Sequence, residues 1–177
     1  MLNDILANIG RFILLVFIQI LVLNKLEFGG SLNAYFNPYL YILFILMLPV
    51  YTNRILLLII CFFTGLTIDI FSSTPGMHAS ACVTIGFMRP GFLNLIAPRE
   101  GYETTLRLNI QGMGLNTFIF YVGICTLIHH MILFIIEAFN FLHFWDLLLR
   151  IITNSISTIV LILISQVLTK KNKEASV

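Results

Sequence analysis

The sequence predicts an all-α integral membrane protein, a single bundle of six transmembrane helices with no soluble domain. Hydrophobic residues make up 59% of the 177 residues and charged residues only 10%, whereas a soluble domain is about half apolar and a quarter charged. The mean hydropathy is +0.98. The apolar runs are continuous rather than alternating. They therefore predict helices, which satisfy their own backbone hydrogen bonds in lipid, and not the strands of a barrel.

Six segments approach the roughly 20 apolar residues that a membrane-crossing helix needs. We predict one domain over residues 1–177, with spans at about 9–26, 38–51, 55–71, 76–97, 115–139 and 145–169. The second span is short, and the fourth is the least apolar. Arg11 precedes the first apolar run, as in a signal peptide, but no small-residue cleavage site follows, so we interpret this run as a retained helix.

The basic residues predict the orientation, because cytoplasmic loops are enriched in Lys and Arg. With a cytoplasmic N-terminus, only Lys25 lies outside the spans on the outer side. The inner side then holds Arg11, Arg54, Arg99, Arg107, Lys170, Lys171 and Lys173. We therefore expect both termini in the cytoplasm. The outer turns 72–76 and 140–143 are very short, the inner loop 98–114 is expected at the interface, and only residues 27–36 could form an outer lid.

Polar and small residues form one stripe on each of four predicted helices, a pattern typical of helices that turn polar edges toward one another. The stripes are Cys61, Gly65 and Asp69; His78, Cys82 and Arg89; Asn116, Gly123, His130 and Glu137; and Arg150, Asn154, Ser157 and Ser165. From them we predict a polar cluster that is either structural or partner-contacting. Its members are Gly65, Asp69, His78, Arg89, His130, Glu137 and Arg150.

Depth places most of this cluster at the outer end of the bundle, where Arg150 is expected to pair with Glu137 or Asp69. His130 lies about two turns deeper, and Arg89 lies nearer the inner side. Ionisable groups in a membrane often mark a substrate or proton pathway, but near the interface they also fix helix register at low cost. We favour the structural interpretation.

Several function classes have no support in the sequence. Enzyme motifs such as HExxH, GxSxG or a phosphate-binding glycine loop are missing, and we predict a non-enzyme without cofactor or metal. The three cysteines lack metal-ligand spacing, and the adjacent His129 and His130 point to different faces. The net charge of +2 is too small to indicate nucleic acid as a partner.

A family resemblance rests on motifs in the central part of the chain. These are Asn37-PYLYILFILMLP, Gly65-LTIDIFSSTPGMHASA, Arg89-Pro, Pro98-REGYE and Ile128-His-His. Their order and spacing are similar to those of the MreD family of rod shape-determining proteins, particularly its form in Bacteroidetes-like bacteria. The resemblance covers nearly the whole chain, and the block 37–103 is its specific part.

The resemblance implies a multi-pass protein of the bacterial inner membrane that belongs to the cell-elongation machinery. The expected partner is an MreC-like single-span membrane protein. Through it the chain would act with the actin-like MreB, a SEDS-type polymerase and a class B penicillin-binding protein in cell shape and lateral peptidoglycan synthesis. The family also resembles, in fold, the six-helix substrate-binding subunits of energy-coupling-factor transporters. It has no catalytic residues, and its Gly-Leu-x-x-Asp element corresponds to Gly65 and Asp69.

Two other functions stay open on the sequence. The alternative to the elongation machinery is a small-solute binding or transport subunit of the energy-coupling-factor type, which should have a concave outer pocket lined by aromatic and polar groups. Against it, the small-residue faces for docking a motor are weak, being limited to 79–81 and the pair Gly112 and Gly114. The third function, handling of a lipid-linked precursor, would need a lateral polar groove.

Overall fold

Long helices account for most of the structure. The computed structural model describes residues 2–26, 35–103, 106–139 and 144–174, with side chains described from residue 5 to residue 169 within those ranges. The helices are α1 (Leu2–Leu21), α2 (Ile42–Leu46), α3 (Arg54–Ser72), α4 (Met77–Leu95), α5 (Ile110–Met113), α6 (Leu115–Ala138) and α7 (Phe144–Glu174). A 3₁₀ turn at Leu23–Lys25 follows α1. The predicted all-α class is confirmed for this part of the chain.

Local sequence signals set the ends of α3 and α4. The Asn53 side chain accepts hydrogen bonds from Ile55 N at 2.9 Å and Leu56 N at 3.3 Å, so it caps the start of α3. The helix ends at a left-handed residue, Ser73, with φ 55°. Gly76, with φ 78°, then turns the chain into α4, and glycine adopts this conformation without steric cost.

The bundle has two ends, which we name by residues of α3. The Asp69 end holds the C-terminus of α3 and the N-terminus of α4, and Asn24 after α1 donates to Ser72 Oγ there at 3.1 Å. The opposite, Arg54 end holds the N-terminus of α3. Helix α4 packs between α3 and α6, and α6 packs against α7.

The outward faces of the long helices are suited to lipid. Four helices are long and apolar enough to cross a membrane: Ile5–Lys25, Arg54–Ser72, Leu115–Ala138 and Phe144–Thr169. Their outward side chains are large and apolar, and Leu14, Phe63 and Ile156 are each more than half exposed. Exposed apolar surface of this extent marks contact with lipid or protein. The chain is therefore a helical membrane protein, as predicted.

The prediction of a transmembrane helix at 38–51 is wrong. Residues 37–51, which we call the central segment, contain only the five-residue helix α2, flanked by turns. Every residue from Tyr39 to Leu46 is buried. The run is apolar because helices surround it, and composition alone does not distinguish such a core from a lipid-facing helix. Irregular backbone at membrane depth is tolerated only where protein covers it.

The other predicted elements have mixed outcomes. The fourth span exists as α4, 19 residues long, but it is absent from the four apolar spans, because small and polar residues such as Ser80, Gly86 and Arg89 lower its hydropathy. The loop 98–114 contains the single helical turn α5. The turn 72–76 is short, as predicted. The turn 140–143 and residues 27–34 of the predicted lid lie outside the described residues.

Candidate functional site

Side chains from α1 and α7 form hydrogen bonds with the backbone at the beginning of the central segment. The amide of Leu40 donates to Gln19 Oε1 at 2.8 Å, and Gln19 Nε2 donates to Pro38 O at 3.2 Å. The amide of Tyr39 donates to Thr158 Oγ1 at 3.0 Å, and that of Asn37 donates to Asn154 Oδ1. These amides lie before the start of α2. Distant polar side chains from α1 and α7 supply their acceptors.

Arg89 donates hydrogen bonds to backbone carbonyls at the other end of the central segment. Its Nη2 donates to Leu48 O and, at 3.4 Å, to Pro49 O, while its Nε donates to the Tyr121 hydroxyl at 2.9 Å. Tyr121 in turn donates to Leu46 O at 3.1 Å. Arg89 is 1% exposed. Arg89 therefore donates directly to the backbone carbonyls that follow α2, and Tyr121 donates to the last carbonyl of α2 itself.

Three histidines surround the two tyrosines of the central segment. The Tyr41 hydroxyl lies 2.8 Å from both His78 Nδ1 and His129 Nε2. The ring centroid of Tyr39 lies 5.0 Å from that of His78 and 5.4 Å from that of His130. His130 Nδ1 donates to Thr126 O at 2.8 Å, which leaves Nε2 to accept from Thr158 Oγ1 at 3.3 Å. Hydrogen bonds therefore hold His130 through both ring nitrogens.

Asp69 caps α4 from the preceding helix. Its carboxylate accepts from His78 N at 3.0 Å, Ala79 N at 2.9 Å and Thr74 Oγ1 at 2.8 Å. Gly76 at the start of α4 supplies no side-chain cap. A carboxylate at a helix N-terminus satisfies free amides and interacts favourably with the dipole. Gly65, one turn earlier, allows the contact, since a Cβ there would lie 2.5 Å from Ala79 Cα.

We expect Asp69→Asn to destabilise the protein by about 1–3 kcal/mol, because the amide group would turn a donor toward one of the two amides that now share the carboxylate. Thermal unfolding in detergent measures this. Asp146→Asn is the control, since Asp146 is an exposed carboxylate at the same end. Equal unfolding temperatures for the two variants would contradict the capping role.

Of the two partners predicted for Arg150, the structure contains Glu137. Arg150 Nη2 lies 2.8 Å from Glu137 Oε1, and the side chains are 20% and 39% exposed. The Arg150 guanidinium also lies 4.8 Å from the centroid of the Phe134 ring. Ion pairs of such exposure contribute about 0–1 kcal/mol. The pair joins the last turn of α6 to the beginning of α7.

We expect Glu137→Arg to lower the free energy of unfolding by about 1 kcal/mol or less, because it places two cations together. Adding Arg150→Glu should restore most of the loss. A double-mutant cycle on unfolding in detergent measures the coupling. Additive losses would show that the pair contributes nothing, whatever its geometry.

A pocket of about 530 Å³ opens at the Asp69 end. Its described walls include the charged residues Lys25, Glu137 and Arg150, the aromatic residues Tyr39, Phe71 and Phe134, and the buried His78. Near this end the Tyr35 hydroxyl donates to the Asp146 carboxylate, and this hydrogen bond raises the pKa of Tyr35. The volume lies within the range of small-molecule sites.

The predicted site residues make their direct contacts in separate groups, although His78, Glu137 and Arg150 line the same pocket. Gly65, Asp69 and His78 lie together at the α3–α4 contact, and Glu137 and Arg150 form the α6–α7 pair. His130 bonds Thr158. Arg89 acts at the other end of the central segment. Each described contact of these residues is internal, while their role in partner binding stays a prediction.

The predicted stripe on α6 is wrong at two positions. Asn116 is exposed and Gly123 is half-buried. The buried polar face instead carries Tyr121, Thr126 and His129. A strict seven-residue repeat drifts around a straight helix, because two turns take slightly more than seven residues. Cys82 is buried on the predicted face of α4, but Ser157 and Ser165 on α7 are only half-buried.

Sequence reasoning also missed Gln19, Tyr41, Tyr121 and Thr158. Gln19 carried a usable signal, because a lone amide inside the apolar run of α1 requires a buried partner. The tyrosines and Thr158 carried none, since such residues are common in apolar segments. Among the described residues, no group of three or more His, Cys, Asp or Glu side chains is arranged to hold a metal ion.

Comparison of the chain with family models, with curated proteins and with solved structures finds no match. The fold and the site define the class of the protein. It is a helical membrane protein with a buried central segment whose backbone is hydrogen-bonded by distant side chains.

Proposed function

We propose that this protein is a non-enzymatic component of a bacterial cell-elongation machinery. It would influence cell shape and lateral peptidoglycan synthesis by binding an MreC-like single-span membrane protein. Through that protein it would act with an actin-like filament, a SEDS-type polymerase and a class B penicillin-binding protein. This remains the function that the resemblance in block 37–103 implies.

One observation carries the proposal: the residues of the resembling motifs make the buried contacts and hydrogen bonds that hold the bundle together. The Asn37 motif forms the central segment, Gly65 and Asp69 fix α4, and Arg89 binds a carbonyl that follows α2. In the Pro98 motif, Tyr102 donates to Leu93 O at 3.0 Å. Motif residues committed to internal hydrogen bonds fit a family without catalytic residues, in which the bundle serves as a binding partner.

The proposed location is the inner membrane, with both termini in the cytoplasm. The direction of the helices supports this topology, because α1 begins and α7 ends toward the Arg54 end. Arg54 itself, Arg99 and Arg107 belong to segments at the same end. Cytoplasmic loops are enriched in basic residues, so the Arg54 end is assigned to the cytoplasm and the Asp69 end to the outer side.

A mild-detergent affinity pull-down of the tagged protein from its native membrane, followed by mass spectrometry, tests the proposal. We expect to recover an MreC-like single-span protein, together with wall-synthesis enzymes that associate through it. A tagged, unrelated helical membrane protein from the same membrane is the control. Recovery of paired ATPases with a membrane coupling subunit, and no MreC-like protein, would overturn the proposal.

The second candidate function is that of a small-solute binding or transport subunit. The pocket at the Asp69 end favours it, because such a subunit needs a concave site with aromatic and polar walls. The same pull-down distinguishes the two functions, since only a transport subunit should bring ATPases with it.

A further inference from the structure

A hydrogen-bonded chain connects the pocket to a closed position in the core. His78 is 3% exposed and lines the pocket. Its Nδ1 contacts the Tyr41 hydroxyl, which also contacts His129 Nε2, both at 2.8 Å. His129 is fully buried, and its Nδ1 has no hydrogen-bond partner among the described residues. The chain therefore ends at His129, and its other end is His78, a residue of the pocket wall.

The unpartnered Nδ1 of His129 determines which group donates and which accepts in each hydrogen bond between His129, Tyr41 and His78. A hydroxyl donates one proton, so Tyr41 donates to one histidine and accepts from the other. If His129 accepted, its own proton would sit on Nδ1, as a buried N–H without an acceptor. Such orphaned donors are rarer in proteins than under-used acceptors. His129 therefore donates through Nε2, Tyr41 donates to His78 Nδ1, and His78 carries its proton on Nε2.

The pocket thus offers hydrogen-bond donors and positively charged side chains to a ligand. Besides the N–H of His78, its described walls carry two cations, Lys25 and Arg150, against the single carboxylate of Glu137. Lys25 is exposed at the rim. Tyr39, Phe71 and Phe134 provide flat apolar walls, which suit a ring or chain of similar shape.

We propose that this pocket binds a small organic anion. A carboxylate or phosphate group accepts from His78 Nε2 and pairs with Lys25, and its apolar body lies against the aromatic walls. The inference does not depend on the elongation machinery. A free solute and the headgroup of an anionic lipid both offer this chemistry, and the experiment separates them.

Benzoate is the first probe, with benzamide and benzylamine as neutral and cationic molecules of similar shape. Binding to the purified protein in neutral detergent is measured by NMR titration. We expect benzoate to bind at least about tenfold more tightly than either control, because its hydrogen bonds are charge-assisted. Lys25→Met should weaken benzoate binding by a similar factor, and Arg54→Met, which removes an exposed cation at the opposite end, should leave it unchanged.

The tautomer of His78 is measured independently by ¹⁵N NMR of the imidazole, with His78→Gln to assign the signal. We expect the proton on Nε2 in the free protein. In nanodiscs, benzoate binding that weakens as phosphatidylglycerol replaces phosphatidylcholine identifies a lipid headgroup as the natural occupant. Unchanged binding identifies a free solute. A proton on Nδ1, equal binding of the three probes, no benzoate binding, or no effect of Lys25→Met would overturn the proposal, whatever the pull-down recovers.

Discussion

Arg89→Met is expected to be the most damaging single substitution in the described part of the chain. Methionine fills the space but donates no hydrogen bond, so Leu48 O and the buried Tyr121 hydroxyl lose their donor, while Pro49 O keeps those of Thr52. Each buried acceptor left without a donor costs about 1–3 kcal/mol, so we expect a loss of about 2–6 kcal/mol. Unfolding in detergent, followed by fluorescence-detected size exclusion after heating, measures the loss.

The matched control is Arg54→Met, at an exposed arginine that lies over the Phe87 ring with its Cζ 4.7 Å from the centroid. An exposed cation–π contact contributes about 0.5–1 kcal/mol, so this variant should unfold close to the parent. Arg89→Lys should fall between them, because one ammonium cannot reach both the carbonyls and Tyr121 with the geometry of a guanidinium. If Arg89→Met matches Arg54→Met, the central segment does not depend on the hydrogen bonds of Arg89.

Gly65→Ala is expected to have the second largest effect, because the added methyl would meet backbone. Its Cβ would lie 2.5 Å from Ala79 Cα and His78 O, and 2.6 Å from Ala79 N. No rotation of a side chain relieves such contacts, so α3 and α4 must separate and the Asp69 cap must lengthen. Overpacking of this kind costs about 1–3 kcal/mol, sometimes more. Thermal unfolding in detergent measures it.

Two other glycines provide graded controls for this prediction. Gly123→Ala adds a methyl with no atom within 4 Å and should be neutral or slightly stabilising. At Gly86 the nearest atom is the Cys61 Sγ, at 2.5 Å. Because that atom belongs to a side chain, adding Cys61→Ala to Gly86→Ala should recover stability. Equal stability of the Gly65 and Gly123 variants would contradict the close α3–α4 contact.

The fold was predictable where lipid contact determines composition. The outward faces of α1, α3, α6 and α7 must be apolar over the thickness of a bilayer, so hydropathy locates these helices to within a few residues. The same rule failed at the central segment, because a run surrounded by protein is as apolar as one surrounded by lipid. What distinguishes it is the set of distant side chains that bind its backbone, and no local pattern in the sequence displays that set.

The candidate site was predictable where charge is involved. Asp69, Arg89 and the Glu137–Arg150 pair stand out in an apolar chain, because ionisable groups there need partners. Which partner each would have was not predictable. Asp69 binds backbone amides that are left free at the start of α4, and Arg89 binds backbone carbonyls that follow α2. The neutral hydrogen bonds of Tyr41, His129 and Thr158 gave no comparable signal.

The central segment also sets the order in which the chain can assemble. Its Asn37 and Tyr39 amides bind Asn154 and Thr158, which are 117 and 119 residues away. Because α7 follows all the other described helices in sequence, these bonds cannot form until nearly the whole of them has been synthesised and inserted. Contacts of such long range form late and slowly. Until then the Asn37 and Tyr39 amides lack these acceptors, and the bundle cannot close around the central segment before α7 is in place.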